Sequence, residues 1–174
     1  MLLLYTGQGK GKTSACVGQA ARAHGRGLRV AFGQFMKRPD QAGEQKVLSL
    51  LLGERFFASG LGFFRREEDR PAHREAAEIL LAWAMVQARS VDMLILDEAL
   101  YALNHGLLIR EELEDLLDLS VRRPFHSGRV PFHLVLSGRG LPDWLRETAD
   151  LVTEMAEIRH PHRKGGRPVP GIDF

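Results

Sequence analysis

The sequence has very little cysteine: Cys16 is the only one among its 174 residues. A single thiol excludes an intramolecular disulfide and any cysteine-rich zinc site, and it fits a reducing compartment. Long apolar runs are also missing, because none approaches the roughly 20 residues that a membrane-spanning helix needs. The apolar start, MLLL, is too short for a signal peptide, and no small-residue cleavage site follows it. We therefore predict a cytoplasmic protein that does not enter the membrane.

The net charge of the chain is also small. The 24 basic and 22 acidic residues leave a formal charge of +2. So small a surplus is weak support for a polyanionic partner, and we expect no binding to nucleic acid. With 44% hydrophobic and 26% charged residues, the composition is that of a soluble globular protein. The length fits one domain, so we predict a single domain over residues 1–174, in which residues 159–174 form a tail rich in glycine, proline and basic residues.

Glycine, by contrast, is concentrated near the start of the chain, in the stretch YTGQGKGKTS. Its end, Gly11-Lys12-Thr13, matches the end of the phosphate-binding pattern G-x-x-x-x-G-K-[ST]. The first glycine of that pattern should then stand at position 6, which is Thr6. An ordinary strand-to-helix turn rarely holds three alternating glycines. We therefore interpret the stretch as a phosphate-binding loop, or P-loop, with altered spacing.

The chemistry of phosphate binding explains the residue types in this loop. Glycines allow backbone N–H groups to approach a phosphate closely, and the N-terminus of the following helix adds its positive dipole end. Lys12 supplies a positive charge, and Thr13 supplies a hydroxyl that can bind magnesium. Lys10, inside the loop, could also reach a phosphate or could face solvent.

Strands and helices are predicted to alternate along most of the chain. Apolar runs predict strands over 2–5, 28–34, 55–58, 132–136 and 151–158 and within VDMLILDEA. Helical patterns start at residue 12 and extend over 41–52, 71–89, 111–119 and 141–148. Near-continuous apolar strands are typical of a sheet that is covered on both faces. The sequence therefore predicts an α/β fold with a mainly parallel sheet flanked by helices.

Two acidic residues, Asp97 and Glu98, end the apolar strand MLILDE. In P-loop proteins a carboxylate at the end of such a strand holds magnesium or its water. Without the glycine loop, the same pair could equally cap a strand or begin a helix. We expect Glu98 to be the direct metal ligand, with Asp97 behind it, although the sequence does not decide between the two.

Arg139 stands in the turn SGRG, directly after another predicted strand. Ligands of open α/β sheets gather at the carboxyl ends of the strands, so Arg139 should lie at the same edge as the P-loop. We predict that it contacts a phosphate or the substrate. The alternative is a loop arginine in a structural ion pair.

At this point three classes of protein remain open: a kinase or ATPase, a nucleotide-driven regulatory module, and a transferase that uses ATP unconventionally. A protein similar to the zinc-binding thymidine kinases would need a set of cysteines, which this chain lacks. The altered loop spacing suggests that the triphosphate is held differently from that of a hydrolase.

The stretch YTGQGKGKTSACVGQAARAHGRGLRVAFGQFMK closely resembles the start of the P-loop family of ATP:corrinoid adenosyltransferases, in which Thr6 is the normal residue. The resemblance covers nearly the whole chain, and it continues through Gln34-Phe35-Met36-Lys37, Gly43-Glu44, Leu96-Asp97-Glu98, Ser137-Gly138-Arg139-Gly140 and the terminal Gly171-Ile172-Asp173-Phe174.

The resemblance implies a RecA-like fold and a reaction in which the Co(I) of a reduced corrinoid attacks C5′ of ATP and releases triphosphate. It also implies ATP as co-substrate, Mg²⁺ or Mn²⁺ as cofactor and a homodimer, and it leaves room for a flavoprotein reductant. Co(I) is a strong nucleophile that needs no general base. The protein must therefore position the substrates and stabilise the departing triphosphate.

We assign the site residues on this basis. Catalysis is assigned to Lys12, Thr13 and Glu98, and metal binding to Thr13, Asp97 and Glu98. ATP binding is assigned to the loop and the SGRG turn, namely Thr6, Gly7, Gln8, Gly9, Lys10, Gly11, Lys12, Thr13, Ser14 and Arg139.

An apolar and aromatic loop, SGLGFFRRE at residues 59–67, is the predicted corrinoid contact. A corrinoid is a large, flat and mostly apolar ring, which suits such residues. In the family, aromatic residues in this loop displace the lower axial ligand of cobalt. This chain has Leu61 where the family often has Phe, and Phe63 where it often has Trp. We predict that Leu61 and Phe63 contact the corrinoid; the alternative is that Phe63 and Phe64 only anchor the loop to the core.

Two other functions stay open as alternatives to the transferase. An ordinary P-loop ATPase or kinase would produce ADP with phosphate or with a phosphorylated product. A non-catalytic carrier of nucleotide or corrinoid would bind its ligand tightly without turnover.

Overall fold

A computed structural model describes residues 1–122 and 131–173. The strands of this part are β1 (Leu2–Thr6), β2 (Val30–Gln34), β3 (Phe56–Ala58), β4 (Met93–Asp97), β5 (His133–Ser137) and β6 (Leu151–Glu154). The helices are α1 (Lys12–Gly25), α2 (Gly43–Leu52), α3 (Arg70–Ala88), α4 (Ala99–Asn104), α5 (Arg110–Arg122) and α6 (Asp143–Thr148). These strands form one sheet in the order β3-β2-β4-β5-β1-β6, and every neighbouring pair is parallel. The predicted α/β fold with a parallel sheet flanked by helices is confirmed.

Strand β4 shows why the strands read as unbroken apolar runs. Leu94 and Leu96 pack into a core cluster on one face of the sheet, together with residues of α3, α4, α5 and α6. Met93 and Ile95 point to the other face, where the core is completed by α1 and α2. Because both faces are covered by helices, neither set of alternating residues can be polar.

The topology brings the predicted site to one edge of the sheet. β5 lies between β1 and β4, so the glycine loop after β1 and the acidic pair at the end of β4 flank the SGRG turn after β5. Parallel strands end at the same edge. Segments that are distant in sequence therefore meet there.

Two sequence predictions need correction. The strand predicted over 151–158 is too long: β6 ends at Glu154, where the chain leaves the sheet edge and passes along the glycine loop. The sequence pattern predicts no helix after the acidic pair, yet α4 begins directly behind Glu98. With six residues, α4 is too short to give a helical repeat in the sequence.

The tail contains a short 3₁₀ helix at Pro161–Lys164, in keeping with a glycine- and proline-rich segment that cannot form a regular α-helix. Phe174, the last residue of the family-like GIDF motif, is outside the described part of the chain. Among the described helices, none combines the length and the apolar character that crossing a membrane requires.

Candidate active site

The glycine loop connects β1 to α1 and closes around the side chain of Lys12. The Lys12 Nζ donates hydrogen bonds to the carbonyl oxygens of Gly7 at 2.8 Å and Gly9 at 2.7 Å. The lysine is buried, with 7% of its surface exposed. Burial lowers the pKa of the Lys12 ammonium, although the Glu98 carboxylate opposes this effect. The loop thus closes around the ammonium of its own lysine.

The altered spacing of the loop has a structural reason. Thr6 is buried and ends β1, and its carbonyl oxygen accepts a hydrogen bond from the Met155 N–H at 2.8 Å. Position 6 therefore belongs to the strand, and the turn begins at Gly7, whose φ is 103°. A Cβ at Gly7 would lie 2.4 Å from the Met155 carbonyl oxygen, and one at Gly9 would lie 2.7 Å from it. The backbone of Met155 lies so close that both positions require glycine.

The hydroxyl of Thr13 is held by the buried carboxylate of Asp97. The Thr13 Oγ1 donates to Asp97 Oδ2 at 3.0 Å, and Ser137 Oγ donates to Asp97 Oδ1 at 2.6 Å. The Gln34 side-chain amide donates to the same carboxylate at 3.2 Å. Asp97 has no solvent exposure. Its visible role is to hold the Thr13 hydroxyl at the start of α1.

Glu98 differs from Asp97 in both backbone and surroundings. Its φ of 62° places it in the left-handed region, and its carboxylate lines a cavity above the glycine loop. Within the described part of the chain, its Oε2 atom is buried and has no hydrogen-bond partner. Burial, and then the charge of Asp97, raise the pKa of Glu98 to about 7. This is the signature of a carboxylate without a strong enough cation beside it.

Two charged residues to which the sequence gives no role, Lys37 and Glu44, join this network. The Lys37 Nζ donates to Glu44 Oε1 at 2.6 Å and to Thr13 Oγ1 at 3.2 Å. The sequence does carry a signal for them, since both stand in motifs that contribute to the family resemblance. No local pattern, however, places either of them beside Thr13.

One cavity of about 1660 Å³ brings most of the predicted site residues together. Its lining includes residues 8–14 of the glycine loop, Glu98 and Arg139, together with Leu61 and Phe63 of the aromatic loop. Arg139 is exposed and lies on the predicted edge. Of the predicted residues, Thr6, Gly7 and Asp97 lie outside the lining of this cavity. Pockets for single small ligands usually measure about 300–1,000 Å³, so this one has room for two substrates.

The aromatic loop divides its two phenylalanines between two roles. Phe64 packs against the core and between the rings of His73 and His105, at centroid distances of 5.5 and 6.0 Å. Phe63 keeps 56% of its surface exposed and touches the Tyr101 ring edge-on at 5.5 Å. Phe64 is therefore the anchor of the loop, and Phe63 is the ring that is presented to the cavity.

Lys10 has a partner in the C-terminal tail. Its Nζ lies 2.7 Å from Asp173 Oδ1, and the side chain is 46% exposed. Asp173 and Ile172 also line the cavity. The tail thus lies over the glycine loop, and Lys10 would have to leave Asp173 before it could contact a phosphate.

These features define a P-loop nucleotide-binding protein of the α/β class. The chain belongs to a family within that class: the model of the ATP:corrinoid adenosyltransferase family BtuR/CobO/CobP matches residues 1–174. The predicted family is confirmed. As a member, the chain is an enzyme of ATP-dependent corrinoid adenosylation.

Curated relatives that align with the whole chain carry the same family name. A corrinoid adenosyltransferase of Pseudomonas aeruginosa is 34% identical over 179 residues, which are 100% of this chain and 83% of that protein. One of Escherichia coli strain K12 is 34% identical over 178 residues, covering 100% of this chain and 85% of its own length. Among solved structures, the Aeropyrum pernix ORC2 protein aligns with a TM-score of 0.44 at 16% identity, over 89% of this chain and 41% of that one. So weak a similarity carries no functional argument.

Proposed function

We propose that this chain joins the 5′-deoxyadenosyl group of ATP to cobalt within this cavity. The observation that carries the proposal is its lining, in which the glycine loop occurs together with apolar residues of the aromatic loop. We call the glycine loop with Glu98 and Arg139 the phosphate side, because a glycine loop at a helix N-terminus suits a triphosphate. We call Leu61 and Phe63 the corrinoid side, because apolar residues suit a corrinoid ring. C5′ of ATP would then lie between the two.

The reaction needs positioning and charge stabilisation rather than acid–base catalysis. The electron pair of Co(I) forms the Co–C5′ bond while the C5′–O bond breaks, and that second electron pair leaves on the triphosphate. Lys12, the loop N–H groups and the N-terminus of α1 would stabilise the negative charge that develops on the leaving group. Holding both substrates in one cavity supplies the rest of the rate enhancement by proximity.

Magnesium, or manganese, fits the acidic corner of this site. The buried Oε2 of Glu98, which has no hydrogen-bond partner among residues 1–122 and 131–173, and the hydroxyl of Thr13 are oxygen ligands of the kind that such a metal prefers. Within the described residues, no group of three or more His, Cys, Asp or Glu side chains could hold a metal without help. Magnesium commonly uses one or two carboxylates together with substrate phosphates. We infer that Glu98 and Thr13 would hold it, that Asp97 orients Thr13, and that the bound metal would neutralise triphosphate charge.

The Glu98→Gln variant tests this metal assignment. It removes the charge but keeps the size of the side chain, and we expect the magnesium concentration at half-maximal rate to rise by about ten- to a hundredfold. The exposed Glu147 on α6 offers a matched control, since Glu147→Gln makes the same charge change away from the cavity. An unchanged magnesium requirement in Glu98→Gln would contradict the assignment.

The Phe63→Ala variant tests the corrinoid side. Loss of one aromatic contact should lower the rate by about tenfold or more for a cobalamin that carries its lower axial base. The effect should be smaller for a corrinoid that lacks this base, because no ligand has to be displaced. Phe63→Trp, which restores the common family residue, should retain activity. Equal losses on both corrinoids would argue against a role in ligand displacement.

The deciding experiment combines the protein with MgATP and cobalamin under strong reduction in the dark. We expect a light-sensitive alkyl-cobalt spectrum and triphosphate in equal amounts. ADP as the sole nucleotide product would support an ordinary ATPase or kinase instead. Tight binding without any product would indicate a carrier.

The assembly and surroundings of the enzyme are also proposals. The family resemblance supports a cytoplasmic homodimer that receives electrons from a flavoprotein. One sheet with a core cluster on each face supports a single domain over residues 1–174. Sedimentation of the purified chain would test the dimer.

A further inference from the structure

Lys37 is a cation of the site that lies outside both the glycine loop and the SGRG turn. It lies just after the end of β2, and β2 is a neighbour of β4 in the sheet. Its Nζ lies 3.2 Å from Thr13 Oγ1 and 3.5 Å from Asp97 Oδ2. The site thus has a second ammonium besides that of Lys12, and it lies next to the Thr13 hydroxyl.

A series of hydrogen bonds fixes the side chain of Lys37 in this position. Glu44, in the first turn of α2, accepts a hydrogen bond from Lys37 at 2.6 Å and one from the Gln34 side chain at 3.2 Å. Gln34 in turn accepts a hydrogen bond from the Gln45 side chain at 2.9 Å. Gln34 and Gln45 are buried. A long, flexible lysine is therefore fixed by a chain of partners, at a cost in side-chain entropy that a solvent-facing lysine would avoid.

The ammonium remains charged and accessible in this position. It lies between two carboxylates, with Glu44 Oε1 at 2.6 Å and Asp97 Oδ2 at 3.5 Å, which favour the charged form. The side chain keeps 26% of its surface exposed, and it lines the cavity together with Lys12 and Thr13. A triphosphate that reaches Thr13 would therefore come within reach of both lysines.

We propose that Lys37 is a further catalytic residue, whose ammonium contacts the triphosphate of ATP beside Thr13 and stabilises the charge that it takes on leaving. Glu44 is the positioning residue that aims Lys37. This inference rests on the proposed function, because it assigns a contact to the phosphate side of the same cavity.

The same geometry has a competing explanation. An ammonium between Thr13 and Asp97 could merely fill the place that a metal takes in the active enzyme. The two explanations predict opposite effects when the charge is removed. If Lys37 contacts phosphate, removing its charge should weaken phosphate binding. If Lys37 competes with the metal, removing its charge should strengthen metal binding.

Binding of inorganic tripolyphosphate, measured by calorimetry in the presence of magnesium and without corrinoid, separates these explanations. For Lys37→Met we expect affinity to fall by about ten- to a hundredfold, the usual effect of losing a hydrogen bond to a charged group. Lys37→Arg keeps the charge and should recover part of this loss. Lys46→Met removes the same charge from an exposed position on α2 and should leave the affinity unchanged. Circular dichroism verifies that each variant is folded.

The Glu44→Gln variant provides the test for positioning. It should weaken tripolyphosphate binding less than Lys37→Met does, and the double variant should bind no more weakly than Lys37→Met alone, because Glu44 acts through Lys37. In the transfer assay, Lys37→Met should reduce kcat while the KM for the corrinoid changes little, since the contact is to the other substrate.

Two results would overturn the inference. One is unchanged tripolyphosphate affinity in Lys37→Met; the other is tighter binding with a lower magnesium requirement, which would assign Lys37 to the metal's place. If the wild type binds tripolyphosphate through Lys37 yet makes no alkyl-cobalt product, the proposed function fails while the phosphate contact stands.

Discussion

Replacing Lys12 with alanine should lower the rate of adenosyl transfer by at least about 100-fold, the usual loss when a fixed charge-stabilising donor is removed. Lys12 is buried under the loop and already bonded to its carbonyl oxygens. The measurement is kcat from the appearance of the alkyl-cobalt spectrum at saturating ATP and corrinoid.

The control for this variant must separate chemistry from folding. The substitution removes the two local hydrogen bonds of Lys12 to Gly7 and Gly9, so the thermal midpoint of Lys12→Ala should fall by a few degrees. Lys46→Ala, an exposed lysine on α2, should match the wild type in rate and in stability. Wild-type turnover by a folded Lys12→Ala protein would refute the role of Lys12.

The second large effect is expected on stability, for Gly7→Ala. The φ of 103° at Gly7 strains any residue that has a Cβ, which by itself costs roughly 1–3 kcal/mol. The new Cβ would also lie 2.4 Å from the carbonyl oxygen of Met155, so the loop or the segment after β6 has to move. We expect the free energy of unfolding in urea to drop by more than the backbone strain alone.

Two other glycines make this prediction specific. Gly11 has a φ of 116°, but a Cβ added there would meet no neighbouring atom within 4 Å in the described part of the chain. Gly11→Ala should therefore lower the free energy of unfolding only by the cost of backbone strain. Gly18, in α1, has the same free space and lacks the positive φ, and alanine there favours the helix by about 1 kcal/mol. If Gly7→Ala were no less stable than Gly11→Ala, the contact with Met155 would not be a constraint on the loop.

These glycine variants bear on the unusual start of the loop. A standard P-loop would have its first glycine at position 6, and Thr6 interrupts that pattern. Thr6 is still paired with Glu154 of β6, so it needs no glycine. The departure therefore marks where the strand ends, and the turn that we propose binds phosphate runs from Gly7 to Thr13.

The sequence by itself determined the fold class and the family. Apolar runs alternating with helical patterns predict a covered parallel sheet, because burial on both faces leaves no polar positions. The sequence also predicts that Lys12, Thr13 and Glu98 lie near one another, because this depends on short motifs at the ends of parallel strands, and all three line one cavity.

Tertiary structure decided what depends on neighbours that are far apart in the chain. Lys37 meets Thr13 because β2 lies beside β4 and α1 packs against both strands, and no local spacing contains that arrangement. The packing of residue 155 against Gly7, and the division of labour between Phe63 and Phe64, likewise follow from where separate segments meet. Strand order and side-chain packing are collective outcomes of burying both faces of the sheet, so they become visible only in the folded chain.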